Sequence, residues 1–253
     1  MPKPTFSPTK LSTYLLCRVK YHWAYHTPYG KWLRRPNPAF AFGSNLHRVL
    51  EYFHNAGGAE KLSTEEFHHA LEQLWSPTGF ESDAQSDVYK QEGLQLTQQY
   101  YQQQLAQPSE AVVLFTERTL RRDMGRYVLM GRLDRVDEYP DGTLEIIDYK
   151  SGRTNVDEEQ VRNDLALHCY ALLLQEHYPD RPLQIAIYAL RANKKVAVAL
   201  THDELEEFRL MLNRIVDEII EEDWQWLTPR WIPHCAKCDF LELCVRKLGL
   251  SPD

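Results

Sequence analysis

Residues 131–150 of the chain read GRLDRVDEYPDGTLEIIDYK, and this stretch decides the fold. Its centre, Tyr139-Pro140-Asp141-Gly142, has the composition of a tight turn, because Pro restricts φ and Gly tolerates positive φ. Apolar and β-branched runs at 127–130 and 143–147 flank the turn, and such runs are typical of strands. The stretch therefore predicts a β-hairpin.

The predicted hairpin places two carboxylates and an ammonium on one face of a sheet. Asp134 and Asp148 should lie side by side, and Lys150 should share the face of Asp148, because strand side chains alternate with a period of two. Two carboxylates suit Mg²⁺ or Mn²⁺, which also takes substrate phosphate oxygens, and His47 offers a nitrogen donor. Such an ion activates bound water, and a lysine stabilises charge on phosphorus. The alternative is a salt-bridge ladder across the hairpin.

Length and composition are ordinary for a soluble globular protein. The chain has 253 residues, of which 43% are hydrophobic and 26% charged, enough to bury a core. No run approaches the ~18 apolar residues of a membrane span. The N-terminus, MPKPTFSP, lacks the apolar segment of a secretory signal. The sequence therefore predicts a cytoplasmic protein without a membrane partner.

The net charge of −7 is concentrated in one segment. Residues 203–223 hold nine acids and two bases, which account for the whole net charge. The rest of the chain is neutral overall and carries two clusters of bases. These are Arg18, Lys20, Lys31, Arg34 and Arg35, and then Arg118, Arg121, Arg122, Arg126, Arg132 and Arg135. The acidic balance therefore does not exclude a local cationic track for phosphates.

The order of the predicted elements indicates the fold class. Apolar spacing predicts helices at 11–26, 41–55, 63–75, 87–106, 157–177 and 201–223, and strands at 111–120, 126–139, 143–149, 183–191 and 195–200. This order predicts an α/β fold of α+β type, a mixed central sheet flanked by helices. We expect a single domain, 1–253: an N-terminal helical part (1–110), a core (111–200) and a C-terminal helix with a cysteine-rich end (201–253).

Three motifs resemble those of a known family. Gly131-Arg132-Leu133-Asp134, followed by Asp148-Tyr149-Lys150-Ser151, is similar to the G-x-x-D…D-Y-K-[ST] signature of RecB-like nucleases, which belong to the PD-(D/E)XK superfamily. Gly43-Ser44-Asn45-Leu46-His47 resembles the G-x-x-x-H helix that comes first in that group. The resemblance extends over residues 11–244 and implies a restriction-endonuclease-like core.

The resemblance implies a role for each motif residue. The implied ligands of Mg²⁺ or Mn²⁺ are His47, Asp134, Asp148 and the backbone carbonyl of Tyr149. Lys150 is the implied catalytic lysine, acting together with the two aspartates. Glu51, one helical turn after His47, is expected to contact the ligands. Asp137 is expected to be a solvated surface acid.

One position departs from the family's pattern. Relatives continue with a Q-x-x-x-Y helix, whose glutamine helps to position the substrate. Tyr170 matches the tyrosine, but Ala166 stands at the glutamine position. This departure favours a second hypothesis, in which the chain is a DNA-binding or assembly module whose nuclease site is weak or idle. Such a module would serve a larger recombination or adaptation complex.

Four of the five cysteines have the spacing of a metal site. Cys235-x2-Cys238-x5-Cys244 supplies three ligands, and Cys17 is the natural fourth. The odd count and the predicted location disfavour disulfides, and Cys169 is expected to be a buried apolar residue. Zinc and an iron–sulfur cluster both accept four thiolates, and spacing does not choose between them.

The resemblance points to iron. One cysteine before the core and three after it resemble the iron–sulfur clasp of RecB-like nucleases, a group that includes AddB proteins and the CRISPR-associated exonucleases of spacer acquisition. Residues 11–17 resemble their N-terminal cysteine helix, although the usual Cys-Pro is Cys17-Arg18 here. A 4Fe–4S cluster on Cys17, Cys235, Cys238 and Cys244 is thereby implied, and zinc is the alternative. Its role would be to hold the two ends of the chain together.

The function that the resemblance implies is that of a metal-dependent DNA exonuclease. It would act on single strands or DNA ends, in CRISPR spacer acquisition or DNA repair, with a CRISPR integrase or a helicase–nuclease as partner. Residues 18–32 mix cations with rings that can stack on single-stranded bases, but they also suit an ordinary aromatic core.

Overall fold

The computed structural model describes residues 2–33, 37–152 and 154–251, so Arg34 and Arg35 of the first basic cluster lie outside the described residues. The helices are α1 (Pro8–Leu16), α2 (Arg18–Tyr25), α3 (Tyr29–Trp32), α4 (Pro38–Asn55), α5 (Thr64–Leu74), α6 (Asp83–Ala106), α7 (Glu158–Arg162), α8 (Leu165–His177), α9 (His202–Glu221) and α10 (Leu241–Leu248). The strands are β1 (Thr5–Phe6), β2 (Val112–Asp123), β3 (Val128–Glu138), β4 (Leu144–Lys150), β5 (Leu183–Ala189) and β6 (Lys194–Leu200).

The strands form a mixed sheet covered by helices on both faces, which confirms the predicted fold class. The order is β1-β3-β4-β5-β6, with β2 also paired to β3. β4 and β5 are parallel, whereas β3–β4 and β5–β6 are antiparallel. Apolar residues of α1, α8 and α9 form one core with the sheet, and those of α4, α5 and α6 form another. The motif residues Asp134 and Asp148 therefore lie on strands that are buried from both sides.

The predicted hairpin is present, and its strands diverge at one end. Gly142 has φ of 91°, and its backbone N–H donates to the Tyr139 carbonyl at 2.9 Å, as the turn chemistry requires. The β3–β4 ladder runs from Glu138↔Leu144 to Arg135↔Ile147 and ends there. β1 pairs with the same edge of β3 as β4 does, but only at residues 128–129. Between these pairings the described strands leave a fork beside Asp134.

Two helices predicted as continuous are each interrupted. Cys17 has extended backbone (φ −164°, ψ 112°) between α1 and α2, and its Sγ accepts a hydrogen bond from the backbone N–H of Lys20. Asp164 separates α7 from α8, and its Oδ1 accepts from the N–H groups of Ala166 and Leu167. Both side chains cap the helix that follows them, which apolar spacing alone does not reveal.

Several bases of the two sequence clusters have acidic partners. Arg122, Arg126 and Arg132 pair with Glu176, Asp217 and Glu117, respectively. The rings of Tyr21 and Trp23 are 4% and 7% exposed, so they belong to the core and are not free to stack on bases. None of the described helices combines the length and the apolarity that a membrane span needs.

Candidate active site

The fork between β3 and β4 holds the two motif aspartates. Extending the ladder by one position beyond Arg135↔Ile147 places Asp134 opposite Asp148. The backbone N–H of Tyr149 donates to Oδ2 of Asp134 at 2.9 Å, so a side chain takes the place of the missing ladder partner. Asp134 and Asp148 are 8% and 5% exposed. Two buried carboxylates thus face each other where the sheet opens.

His47 lies on α4, and its side chain reaches the fork. Phe42, Leu46 and Phe53 fix the helix, because they are buried against the sheet. The imidazole of His47 contacts two of the expected groups. Its Nε2 lies 3.0 Å from the carbonyl oxygen of Tyr149, and its Nδ1 lies 3.2 Å from Oδ1 of Asp134. The helix and the hairpin, far apart in sequence, therefore meet at one point.

Glu117 is a member of the site that the sequence did not reveal. Its Oε1 lies 3.4 Å from His47 Nδ1, and its side chain is 5% exposed. His47, Glu117 and Asp134 each offer one ligand atom, and these atoms all lie within 4.8 Å of one another. Glu117 adopts φ of 46°, which is unusual for a residue other than glycine. That distortion of β2, which strand periodicity cannot predict, turns the side chain into the site.

The charges around the fork suit a cation. Burial lowers the pKa of His47, but attraction to Asp134 and hydrogen bonds to Asp134 and Glu117 outweigh burial and raise it to about 10. Burial, with repulsion from Asp134, raises the pKa of Asp148 to about 6, although Lys150 opposes the shift. The proton on His47 thus lies where the carboxylates converge. This donor set of carboxylates, imidazole and a carbonyl can hold a divalent metal ion.

Lys150 lies beside Asp148, on the strand face that the period of two predicts. Its Nζ is 2.6 Å from Asp148 Oδ2. Burial lowers the pKa of Lys150, but the charges of Asp148, Asp164 and Asp134 together with the contact to Asp148 outweigh burial, and the net shift is upward. The ammonium is therefore protonated at neutral pH. The two groups therefore form a close, largely buried ion pair.

The other residues singled out in the sequence lie around this group. Burial, followed by the charges of Asp148 and Asp134, raises the pKa of Tyr170, so its hydroxyl lies near the aspartates. The Tyr170 ring also explains Gly131, because a Cβ at that position would come within 2.8 Å of ring carbon Cε1. Burial and the charge of Glu117 raise the pKa of Glu51, which places Glu51 near the outer edge of the site.

Asp137 is not the surface acid that the sequence predicts. It is 1% exposed, and the Arg135 guanidinium forms two hydrogen bonds with its carboxylate. Helices cover both faces of β3, so an acid there needs a buried partner. The same guanidinium lies 2.8 Å from His54 Nε2 and 3.4 Å from the Tyr149 hydroxyl. This hydrogen-bond network joins α4 to β4 behind the group formed by His47, Glu117 and Asp134.

A polar cleft of about 810 Å³ adjoins Lys150. The end of β4, the loop that follows it, α7 and the start of α8 form its walls. Its lining includes Lys150, Asn155, Asn163 and Ala166, so the position where relatives carry glutamine faces this cleft. The cleft gives an extended polar ligand access to the ammonium of Lys150.

The four spaced cysteines meet at a second site, against the outer side of α2. All four line one small cavity of about 20 Å³. Backbone N–H groups of Lys20 and Ile232 donate to the sulfurs of Cys17 and Cys235, each at 3.4 Å. Cys169 lies apart, fully buried in the main core as predicted.

The other two sulfurs also face N–H groups. Burial raises the pKa of the Cys238 thiol, and the backbone N–H of Phe240 opposes that rise. Burial raises the pKa of Cys244 to about 11, and the indole N–H of Trp23 opposes it. That buried indole nitrogen has no partner with hydrogen-bond geometry among the described residues. N–H groups that donate to two of the sulfurs and lie near the other two suit a thiolate–metal centre.

Known proteins are similar to this chain in sequence or in structure. An ATP-dependent helicase/deoxyribonuclease subunit of Streptococcus uberis is 25% identical over 191 residues, which cover 70% of this chain and 16% of that protein. The crystal structure of SSO0001 matches with 17% identity and a TM-score of 0.38, covering 83% of this chain and 96% of that one. A candidate exonuclease of Eubacterium rectale matches with 10% identity and a TM-score of 0.35, covering 73% of this chain and 86% of its own.

The family assignment rests on the sequence profile of the PD-(D/E)XK nuclease superfamily. That profile matches residues 5–245, nearly the whole chain, including His47, Asp134, Asp148 and Lys150. At the fork, Asp134, Asp148 and Lys150 of the sheet lie close to His47 of α4. The chain therefore belongs to the PD-(D/E)XK nuclease superfamily.

Proposed function

We propose that this protein is a metal-dependent DNA exonuclease that hydrolyses phosphodiester bonds at the β3–β4 fork. The convergence of His47, Glu117 and Asp134 within 4.8 Å, next to the Lys150–Asp148 pair, carries the proposal. The residues to hold Mg²⁺ or Mn²⁺ are His47, Asp134, Asp148 and the carbonyl of Tyr149, with Glu117 added. A divalent ion at this place would activate water and bind phosphate oxygens.

The role of Lys150 follows from its charge. The upward shift of its pKa keeps the ammonium protonated, so it donates hydrogen bonds and does not act as a general base. Lys150 lines the cleft and lies 2.6 Å from Asp148, so a phosphate bound beside Asp148 would contact its ammonium. Its task is to orient the attacking water and to stabilise the negative charge that develops on the phosphate oxygens. Tyr170 packs behind the aspartates and supports their placement.

A labelled-DNA assay tests this function. Single-stranded and duplex oligonucleotides, each labelled at one end, are incubated with the protein and Mn²⁺, with or without EDTA. We expect metal-dependent shortening of linear strands and no cleavage of a circular single strand, because an exonuclease needs an end. The labelled end that is lost first gives the polarity. Cleavage of the circle would show an endonuclease instead.

The second hypothesis, a DNA-binding or assembly module with an idle nuclease site, draws on one observation. Ala166 lines the cleft where relatives carry glutamine, so that wall lacks one amide. The same assay separates the two hypotheses. DNA that binds but keeps its label in the presence of Mn²⁺ would favour the module.

We also propose that Cys17, Cys235, Cys238 and Cys244 hold a 4Fe–4S cluster that fastens α2 to the C-terminal segment. The N–H groups that donate to Cys17 and Cys235 support a metal–thiolate centre. Among the described residues no three of these sulfurs lie within 4.8 Å of one another, whereas zinc, with Zn–S of about 2.3 Å, holds sulfurs ~3.8 Å apart. The small volume of the cavity between the cysteines, in contrast, favours a single zinc ion.

Metal analysis decides between the two centres. Protein purified without oxygen should be brown and contain iron and acid-labile sulfide. A colourless protein with one zinc ion per chain would establish the alternative. The assay needs no activity, so it is independent of the nuclease proposal.

The proposed partners follow from a relative. The Streptococcus uberis protein is named as part of a helicase/deoxyribonuclease, and this chain matches 16% of it. We propose that this chain acts with a helicase–nuclease in DNA repair or with a CRISPR integrase in spacer acquisition. The cytoplasmic location predicted from the sequence stays a prediction.

A further inference from the structure

The cleft beside Lys150 has an unusual lining for a protein that binds a polyanion. Of the described residues that line it, Lys150 is the cation and Asp164 the anion. The charge of Lys150 is matched by Asp148 at 2.6 Å, and the Asp164 carboxylate caps α8. The rest of the described lining is neutral. Among the residues that the structure describes, the lining of the cleft therefore carries little net positive charge.

Two side-chain amides supply the hydrogen-bonding capacity that remains. Asn163 follows α7, where its backbone N–H closes the helix on the Glu159 carbonyl and leaves the side chain in the cleft. Asn155 lies in the loop after β4 and also lines the cleft, and both asparagines are exposed. Neither amide has a hydrogen-bond partner within the described part of the chain. Each amide presents two N–H donors, which phosphate oxygens accept well.

We propose that Asn155 and Asn163 bind the nucleic-acid backbone next to the phosphate that Lys150 contacts. The ligand is a single DNA strand, held through its phosphate and sugar oxygens by neutral amides instead of salt links. The inference rests on the proposed nuclease function and names its substrate contacts. Because the contacts reach the backbone, they do not depend on base identity.

This mode of binding has a distinctive salt dependence. A cation that binds phosphate releases counterions, and its loss lowers the slope of log K against log salt by about 0.7 for a single strand. An amide releases none. Loss of Asn163 should therefore weaken binding at every salt concentration and leave the slope unchanged. A residue that acts through its charge would change the slope, and circular-dichroism spectra test for a loss of local folding.

The experiment measures the anisotropy of a fluorescent single-stranded oligonucleotide in EDTA, where cleavage is blocked, at several KCl concentrations. Asn163→Ala and Asn155→Ala should each weaken binding by about tenfold, the value of one hydrogen bond to a charged group, with the wild-type salt slope. Asn163→Asp, nearly isosteric but negative, should weaken it further. The loss should be equal for a strand with an abasic centre.

Asn55→Ala serves as the matched control, because Asn55 is an exposed asparagine at the end of α4 that bonds to Thr116 away from the cleft. Wild-type affinity in both cleft variants, with folded circular-dichroism spectra, would overturn the inference and leave the nuclease proposal standing. A change of slope by about 0.7 would overturn it in favour of an electrostatic contact. Absence of DNA binding and cleavage by the wild-type protein would overturn both proposals.

Discussion

The backbone N–H of Tyr149 donates to Oδ2 of Asp134 at 2.9 Å, one position beyond the last paired residues of their strands. This bond holds one oxygen of Asp134, and its other oxygen lies 3.2 Å from His47 Nδ1. The fork thus converts an interrupted ladder into a site for a cation.

Glu117→Gln should weaken metal binding. The amide keeps the size of the side chain but removes a charge from the group that contacts His47, so we expect Mn²⁺ affinity to fall roughly 10–100-fold. Electron paramagnetic resonance of free Mn²⁺ measures that affinity. Glu138→Gln, which breaks a surface pair with Arg181, is the control and should bind Mn²⁺ normally. Unchanged affinity in Glu117→Gln would remove this residue from the site.

Asp148→Asn should stabilise the metal-free protein at alkaline pH. The pKa of Asp148 rises from 3.8 to about 6, so the folded state binds the proton more tightly. The free energy of unfolding therefore falls as the pH rises from about 4 to about 6, and it stays lower above pH 6. The amide avoids this loss, which is on the order of 1–3 kcal/mol.

Urea unfolding in EDTA at pH 4 and pH 8 measures the difference. The variant should exceed the wild-type free energy of unfolding at pH 8 and match it at pH 4. Asp87→Asn, at an exposed position of α6, is the control and should have the wild-type free energy of unfolding at both pH values. An equal difference between Asp148→Asn and wild type at both pH values would be incompatible with the shifted pKa.

Gly131→Ala should destabilise the fold by roughly 1–3 kcal/mol through overpacking. The new methyl group would come within 2.8 Å of the Tyr170 ring and 3.0 Å of Leu173 Cδ1, and both belong to the packed face of α8. Gly152→Ala is the control, because a Cβ there meets no atom within 4 Å. Chemical denaturation of both variants provides the comparison. Equal stability of the two would mean that Tyr170 does not pack on Gly131.

Cys244→Ala should release the bound metal and lower the melting temperature, since one of four ligands is lost. Cys169→Ala should keep the metal, because that cysteine lies in the main core and away from the other four. Iron, zinc and sulfide content per chain, together with thermal denaturation, measure both effects. Full metal content in Cys244→Ala would exclude Cys244 as a ligand.

The hairpin and its motif residues could be predicted from sequence because the relevant rules are local. Turn composition fixed the position of Gly142, and the period of two placed Lys150 beside Asp148. His47 required the resemblance to the family, since nothing local indicates that α4 meets the hairpin. The mixed sheet followed from the order of strands and helices.

The features that sequence did not reveal depend on tertiary contacts. Glu117 enters the site through a positive φ in β2, and no residue pattern signals such a distortion in a non-glycine residue. Asp137 was expected at the surface because a strand acid usually faces solvent, but Arg135 neutralises it in the interior. Cys17 ends α1 through its own side-chain cap, although the apolar spacing continues past it.

The most direct test of the nuclease account is cleavage of labelled single-stranded DNA by Lys150→Ala in Mn²⁺. The wild-type protein should shorten the strand, and EDTA should stop the reaction. Lys150→Ala should leave the label intact while it keeps the circular-dichroism spectrum and the metal content of the cysteine site. Lys3→Ala, which breaks a surface pair with Asp123, should cleave like the wild type. Wild-type cleavage by Lys150→Ala would contradict the assignment of the fork as the active site.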